Sequence, residues 1–305
     1  VRRQVADPTN TARWVLPVLV PVAAVLVAHF VLDPGGWAEV TKSLVIGASH
    51  AAVVVLGTAV VVLALLAARM LVRGRQGGAV RVPTGRTWTG LAVVAYLVLL
   101  TAISGRIAPL PIFAGLERHW QGKVLDLLWL AVLLGILHRW ARAEVGLRRR
   151  LEPGSARPAL ILIGVTFGLF AGLTVLSVAM DWLPVEPVSA EQLAYDATIP
   201  NLTEELIWRG VMLAVLVAVL PPTRTVLGAR VGWAVVISSV AFGVGHTALV
   251  DLEGVWTLSL AGGLFATGMG LALGWVWSRT RSVWPAFLLH CAPEIGVDVG
   301  MILMA

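Results

Sequence analysis

The fold class this sequence predicts is all-α: a polytopic bundle of eight or nine transmembrane helices, read here as nine. Three observations predict it. Of 305 residues, 58% are hydrophobic and only 13% charged, whereas a soluble domain carries about a quarter charged residues. The apolar residues gather into runs of about 20, the length that crosses a bilayer as a helix. The arginines sit at the ends of those runs, as they do where basic loops set membrane orientation.

The same numbers exclude other classes. The polar stretches are too short to enclose a soluble core of their own. The net charge of +6 does not point to nucleic acid, because its basic residues flank apolar runs. Cys291 is the single cysteine, so the chain has no intrachain disulfide and no thiolate metal cluster. The basic start, residues 1–13, precedes an apolar run without a small-x-small cleavage site, and that run is read as a retained helix.

In order, the predicted spans are 14–32, 43–68, 88–105, 123–140, 159–180, 200–220, 231–249, 258–278 and 283–304. Pro17 and Pro21 fall in the first, where a membrane helix tolerates a kink. Eighteen of the 23 lysines and arginines lie in alternate loops: Arg2, Arg3 and Arg13, then 69–86, 139–157, 224–230 and 279–281. Lys42, Arg106, Arg118 and Lys123 are the four on the other side. This bias predicts a cytoplasmic N-terminus and an extracytoplasmic C-terminus. Gly164, Gly168 and Gly172, and again Gly270 and Gly274, recur at four-residue spacing and predict close helix contacts. Tryptophans near span ends predict interfacial anchoring in membrane lipid. His29 and His50 fall where the first two helices could bring them together.

The chemistry concentrates in the sixth span, in Asn201-Leu-Thr-Glu204-Glu205-Leu-Ile-Trp208-Arg209-Gly210. Ionisable groups in hydrocarbon cost several kcal/mol unless paired or turned to a polar cavity, so they are functional candidates by default. Glu205 and Arg209 are four apart and share a helix face. Glu204 is rotated about 100° away and is free for another partner; it suits a general base acting on water. His246 closes the seventh span beside Gly243 and Gly245, which leave room for close approach. His290 and Glu294 lie one turn apart inside the ninth.

Glu204-Glu205-x-x-x-Arg209, Phe242-x-x-x-His246 and His290-x-x-x-Glu294 together resemble the three motifs of the CPBP family, also called Abi or CAAX-protease-like intramembrane proteases. The resemblance covers about residues 159–295. It divides the chain into an N-terminal extension, 1–158, and a catalytic core, 159–305. It implies peptide-bond hydrolysis within the membrane, with Glu204 and His246 activating water and Glu205 with Arg209 as a supporting pair. His290 and the residue at 294 would stabilise the oxyanion. The family usually has Asn or Asp where this chain has Glu294. An ionised carboxylate there would repel an oxyanion, so Glu294 is protonated, orients His290 instead, or marks altered activity.

A metal-free site is the favoured expectation; if zinc binds, Glu204, His246 and His290 are the ligands available with an open fourth position. The orientation puts the polar cluster in the outer half of the bilayer. The expected partner is thus an exported or membrane-anchored protein or peptide reached from the extracytoplasmic side, and a cytoplasmic prenylated substrate is disfavoured. The Ala-, Val- and Arg-rich composition fits a GC-rich bacterial genome, and the expected location is the cell membrane. Two readings compete: a catalytically altered scaffold, regulator or immunity factor that binds a partner protein, and a proton-coupled transporter. The second lacks the paired broken helices of inverted repeats.

Overall fold

The computed structural model describes residues 5–73 and 84–305; Arg2, Arg3, Arg75 and Arg81 of the orientation count lie outside them. The described chain is mostly helical. A 3-10 turn, Pro17–Leu19, leads into α1 (Val20–Leu32). There follow α2 (Trp37–Arg73), α3 (Gly85–Ser104) and α4 (Trp120–Ile136). After a 93° bend, α5 (His138–Trp140) continues as a π-helical turn, Ala141–Val145. Next come α6 (Ala156–Ala179), the short α7 (Ala190–Ala197) and α8 (Ile199–Glu205). A π-helical stretch, Leu206–Met212, joins α8 to α9 (Leu213–Val219). The hairpin β1 (Arg224–Val226) and β2 (Ala229–Val231) precedes α10 (Trp233–Thr247). A second hairpin, β3 (Ala248–Val250) and β4 (Trp256–Leu258), leads to α11 (Leu260–Thr280) and α12 (Val283–Met304).

Among the described residues, five helices are long and apolar enough to cross a membrane: Trp37–Val72, α3, α6, α11 and α12; the bent pair Trp120–Ile136 and His138–Val145 makes a sixth if it is one span. Each of the nine expected segments contains helix, but the described residues do not confirm a count of eight or nine full spans. The first segment is a helix of only 16 residues, Pro17–Leu32, and α10 has 15. The sixth runs without interruption through α8, the π-helical stretch and α9, residues 199–219. The spans present their apolar surface outward: Leu160, Ile161, Val165, Leu169, Leu173 and Leu176 of α6 are all exposed, as hydrocarbon-facing side chains are.

One apolar core runs from Trp14 to Val283. In it α2 packs on α10, α3 on α9 and α4 on α8, so these three early helices are built directly against the later ones. The glycine rows divide. Gly270 and Gly274 do lie in a contact, with an added Cβ at 2.9 Å from Ser239 Cα and 2.8 Å from Val235 Cγ1 of α10. Gly164, Gly168 and Gly172 face open space, against expectation. The close approach of α6 to α12 is made by glycines of α12 instead, Gly296 against Phe167 and Phe170, and Gly300 against Thr174. Spacing of four locates a stripe on a helix but does not say whether that stripe meets protein or lipid.

The tightest approach is between α10 and α11. A Cβ at Gly243 would stand 1.8 Å from Thr267 Oγ1 and 2.8 Å from the Gly263 carbonyl, and one at Gly263 would stand 1.7 Å from Thr247 Oγ1. Each threonine hydroxyl donates to a carbonyl of its own helix, Thr267 to Gly263 at 2.8 Å and Thr247 to Gly243 at 2.9 Å. Neither hydroxyl can turn aside without losing that bond. Gly243→Ala is therefore expected to lower stability by about 1–3 kcal/mol, the usual cost of overpacking. Gly168→Ala should stay within about 0.5 kcal/mol, as surface substitutions do. Thermal unfolding in one detergent measures both; equal stability of the two variants would contradict this packing.

Candidate active site

The site is built where α4, α8, α10 and α12 meet. The Ser189 hydroxyl caps α7 by accepting the Gln192 N–H, and the chain re-enters the bundle through Pro200 at the start of α8. Glu204 and Glu205 end α8, immediately before the π-helical stretch. Such π insertions recur at functional sites. Successive residues on a helix diverge by about 100°, so the two carboxylates point to different partners.

Glu205 turns inward. It is 0% exposed, and its Oε1 accepts from Arg209 Nη1 at 2.7 Å and from His290 Nδ1 at 2.8 Å. Arg209 is 1% exposed and its guanidinium lies 4.4 Å from the centre of the Phe242 ring. Phe242 also packs on Trp208, His246 and His290, at centroid distances of 5.6, 4.3 and 5.7 Å. The first residue of the Phe242-x-x-x-His246 pattern is thus the apolar hub around which the charged groups are set.

Glu204 turns to a cavity of about 460 Å³ that it lines together with His246, Lys123, Asp126, Tyr195 and His119. Its Oε1 accepts from Lys123 Nζ at 2.5 Å. Its Oε2 lies 3.9 Å from His290 Nε2, beyond hydrogen-bond reach. His246 is placed by its Nδ1, 2.8 Å from the Phe242 carbonyl. A carbonyl only accepts, so Nδ1 carries the proton, and in the neutral ring Nε2 is the basic atom. The His119 imidazole at the cavity wall is pushed below its ordinary range, first by burial and then by the Arg106 and Lys123 charges.

Glu294 is not the partner of His290. Asn201 Nδ2 donates to Glu294 Oε2, and the same amide donates to the Asp196 carbonyl at 2.7 Å. Of the three roles left open for Glu294, orienting His290 falls away, because Glu205 holds that ring. His29 and His50 do not meet either: His29 Nε2 bonds the Ala108 carbonyl at 2.7 Å, and His50 Nδ1 lies 3.4 Å from Arg106 Nη2. As for zinc, no three His, Cys, Asp or Glu side chains among the described residues are arranged to hold a metal ion. One oxygen of Glu204 is taken by Lys123 and one nitrogen of His290 by Glu205.

Residues 187–294 match the family model described as type II CAAX prenyl endopeptidase Rce1-like. The segment is an Rce1-like domain. It covers about a third of the chain and contains all of Glu204, Glu205, Arg209, His246, His290 and Glu294. Neither a curated protein nor a solved structure matches the chain. The match agrees with the CPBP and CAAX-protease-like resemblance read from the motifs, and the apolar helices are those of a multi-pass membrane protein.

Three polar residues at the Rce1-like site escaped the sequence reading. Lys123 was counted among the outer loop charges; it lies instead in the first turn of α4 and reaches Glu204. Asp126, 3% exposed, accepts from Thr101 Oγ1 and Trp129 Nε1, both at 2.8 Å. Asn201 braces Glu294. The signal for the first two was present: two ionisable residues one turn apart inside an apolar run satisfy the same criterion that singled out Glu204.

Proposed function

We propose that the chain is an intramembrane endopeptidase in which Glu204 and His246 activate water. The observation that carries this reading is the state of Glu204. It is a carboxylate on the wall of a cavity, with one oxygen fixed by Lys123 and the other without a hydrogen-bond partner among the described residues. Water's oxygen forms the new bond to the scissile carbonyl carbon while one of its protons passes to Glu204 Oε2, with His246 Nε2 as the second acceptor on the same wall. The carbonyl oxygen becomes an oxyanion opposite His290 Nε2. Donation from that atom requires the ring to hold two protons, because Nδ1 is already engaged with Glu205. The Glu205 carboxylate at 2.8 Å and the Glu204 carboxylate at 3.9 Å are the counter-charges for that imidazolium. The C–N bond then breaks and the proton on Glu204 leaves with the amine. Glu294 takes no part in the oxyanion site; bonded to Asn201, it ties α12 to α8.

The substrate class is a membrane-anchored or exported protein tail, approached from the extracytoplasmic side. The support is the arginine asymmetry of the loops, which puts the Glu204 end of α8 and the His246 end of α10 outside. A prenylated tail presented from the cytoplasm would reach the opposite face. Comparison of protein termini tests the reading. Three strains are needed: one lacking the protein, one restored with wild type, and one with Glu204→Gln at matched expression. New termini confined to the wild-type strain, mapping to the outer side of their membrane proteins, are expected. Identical termini in all three, with the phenotype restored by Glu204→Gln, would replace hydrolysis with partner binding.

A further inference from the structure

We propose that Lys123, which lies outside the Rce1-like segment, is a positioning residue of the hydrolytic centre: it fixes one oxygen of Glu204 so that the other serves water. The inference rests on the proposed hydrolytic reading and extends it to a helix that the family match does not cover.

The geometry is specific. Lys123 is the cation in direct contact with Glu204, at 2.5 Å. The other buried cation nearby, Arg209, is bonded to Glu205 at 2.7 Å. His290 stands 3.9 Å from Glu204 and is bonded to Glu205. A carboxylate at the end of a flexible side chain otherwise samples several rotamers, each placing its oxygens differently. An ammonium on Oε1 selects one of them and leaves Oε2 on the His290 side. Lys123 is itself held from drifting. It projects from the first turn of α4, where Trp120 Nε1 and the backbone N–H groups of Glu117 and Arg118 all donate to Glu191 of α7. Those donors outweigh the cost of desolvation and hold the Glu191 carboxyl below its usual range. Asp126, one turn further along, is anchored by Thr101 and Trp129. Lys123 and Glu204 keep 23% and 21% of their side-chain surface exposed and line one cavity. The pair therefore borders the reaction space, unlike the fully enclosed pair of Glu205 and Arg209.

A brace between α4 and α8 would use the same contact, and kinetics separate the two roles. The assay uses an internally quenched peptide carrying the cleavage site mapped by the termini comparison, with the purified full chain in liposomes. Wild type, Lys123→Met, Lys123→Arg and Glu204→Gln are compared, with melting temperatures for each. Lys123→Met is expected to lower kcat about a hundredfold, the cost of a misplaced catalytic group, with KM within about threefold because ground-state binding is untouched. Lys123→Arg should restore part of this, to about tenfold below wild type, since the charge returns with a different reach. Wild-type kcat per folded molecule in Lys123→Met would overturn the role. If Lys123→Met does not fold, Lys123→Arg decides: lowered kcat at unchanged KM supports positioning, and unchanged kcat overturns it. Absence of cleavage by wild type would overturn the hydrolytic reading and this role with it. Cleavage lost in Glu204→Gln but kept in Lys123→Met would overturn the Lys123 role alone.

Discussion

Glu205→Gln is expected to destabilise the folded protein by about 3–5 kcal/mol, the usual cost of removing one partner from a buried ion pair. The substitution keeps the volume and most of the hydrogen bonding; what it removes is the charge. Arg209 is then left 1% exposed with no carboxylate in contact among the described residues, since its salt bridge runs to Glu205. The Phe242 ring face at 4.4 Å offsets only about 1–2 kcal/mol of that. Removing both charges should recover much of the loss, because an apolar pair of similar size is often neutral or better in such a place. Glu205→Gln/Arg209→Met is therefore expected to be more stable than Glu205→Gln alone, while remaining inactive. Denaturant unfolding in a fixed detergent measures the cycle. A single variant within about 1 kcal/mol of wild type, the range of exposed salt bridges, would show that the pair is solvated and that the enclosed network is wrong.

The same pair illustrates what could be read before the fold was known. Helical spacing alone put Glu205 and Arg209 on one face and Glu204 on another, and helix geometry is local, so those relations were legible. The identity of Glu204's partner was not. Lys123 is 81 positions away in sequence, and nothing in the spacing of α8 points to α4. The loop count even assigned Lys123 a different job, because a lysine at a span end looks the same whether it faces headgroups or a cavity. The partner of Glu294 was hidden for a related reason. Its spacing from His290 fits an i, i+4 contact, but each side chain finds its partner on α8, Glu205 for one and Asn201 for the other. The long apolar runs were plain as helices, yet how many cross in full was not. Between α8 and α9 the helix continues as a π-helical stretch, which residue spacing does not announce, and the 93° bend after α4 falls at Leu137, where the apolar run gives way to His138 and Arg139.

His290→Ala is expected to lower kcat about 10²–10³-fold, or about 2.7–4 kcal/mol of transition-state stabilisation, the loss typical of one oxyanion donor. The imidazole is fixed at one end, Nδ1 on Glu205 at 2.8 Å, and presents Nε2 toward Glu204. Its edge is packed against Phe242 at 5.7 Å between centroids, so the donor is aimed before substrate arrives and need not reorganise during the reaction. Such an interaction strengthens only as charge develops on oxygen. KM should therefore stay near its wild-type value while kcat falls. Glu294→Gln provides the contrast. Its amide oxygen can still accept from Asn201, and no role in charge stabilisation is lost, so kcat should remain within about threefold of wild type, as for a group with no transition-state contact. Steady-state cleavage of the quenched peptide by both variants separates the two helix positions. If Glu294→Gln is the variant that loses kcat and His290→Ala keeps it, the oxyanion site lies one turn further along α12, and Glu294 acts as a protonated donor.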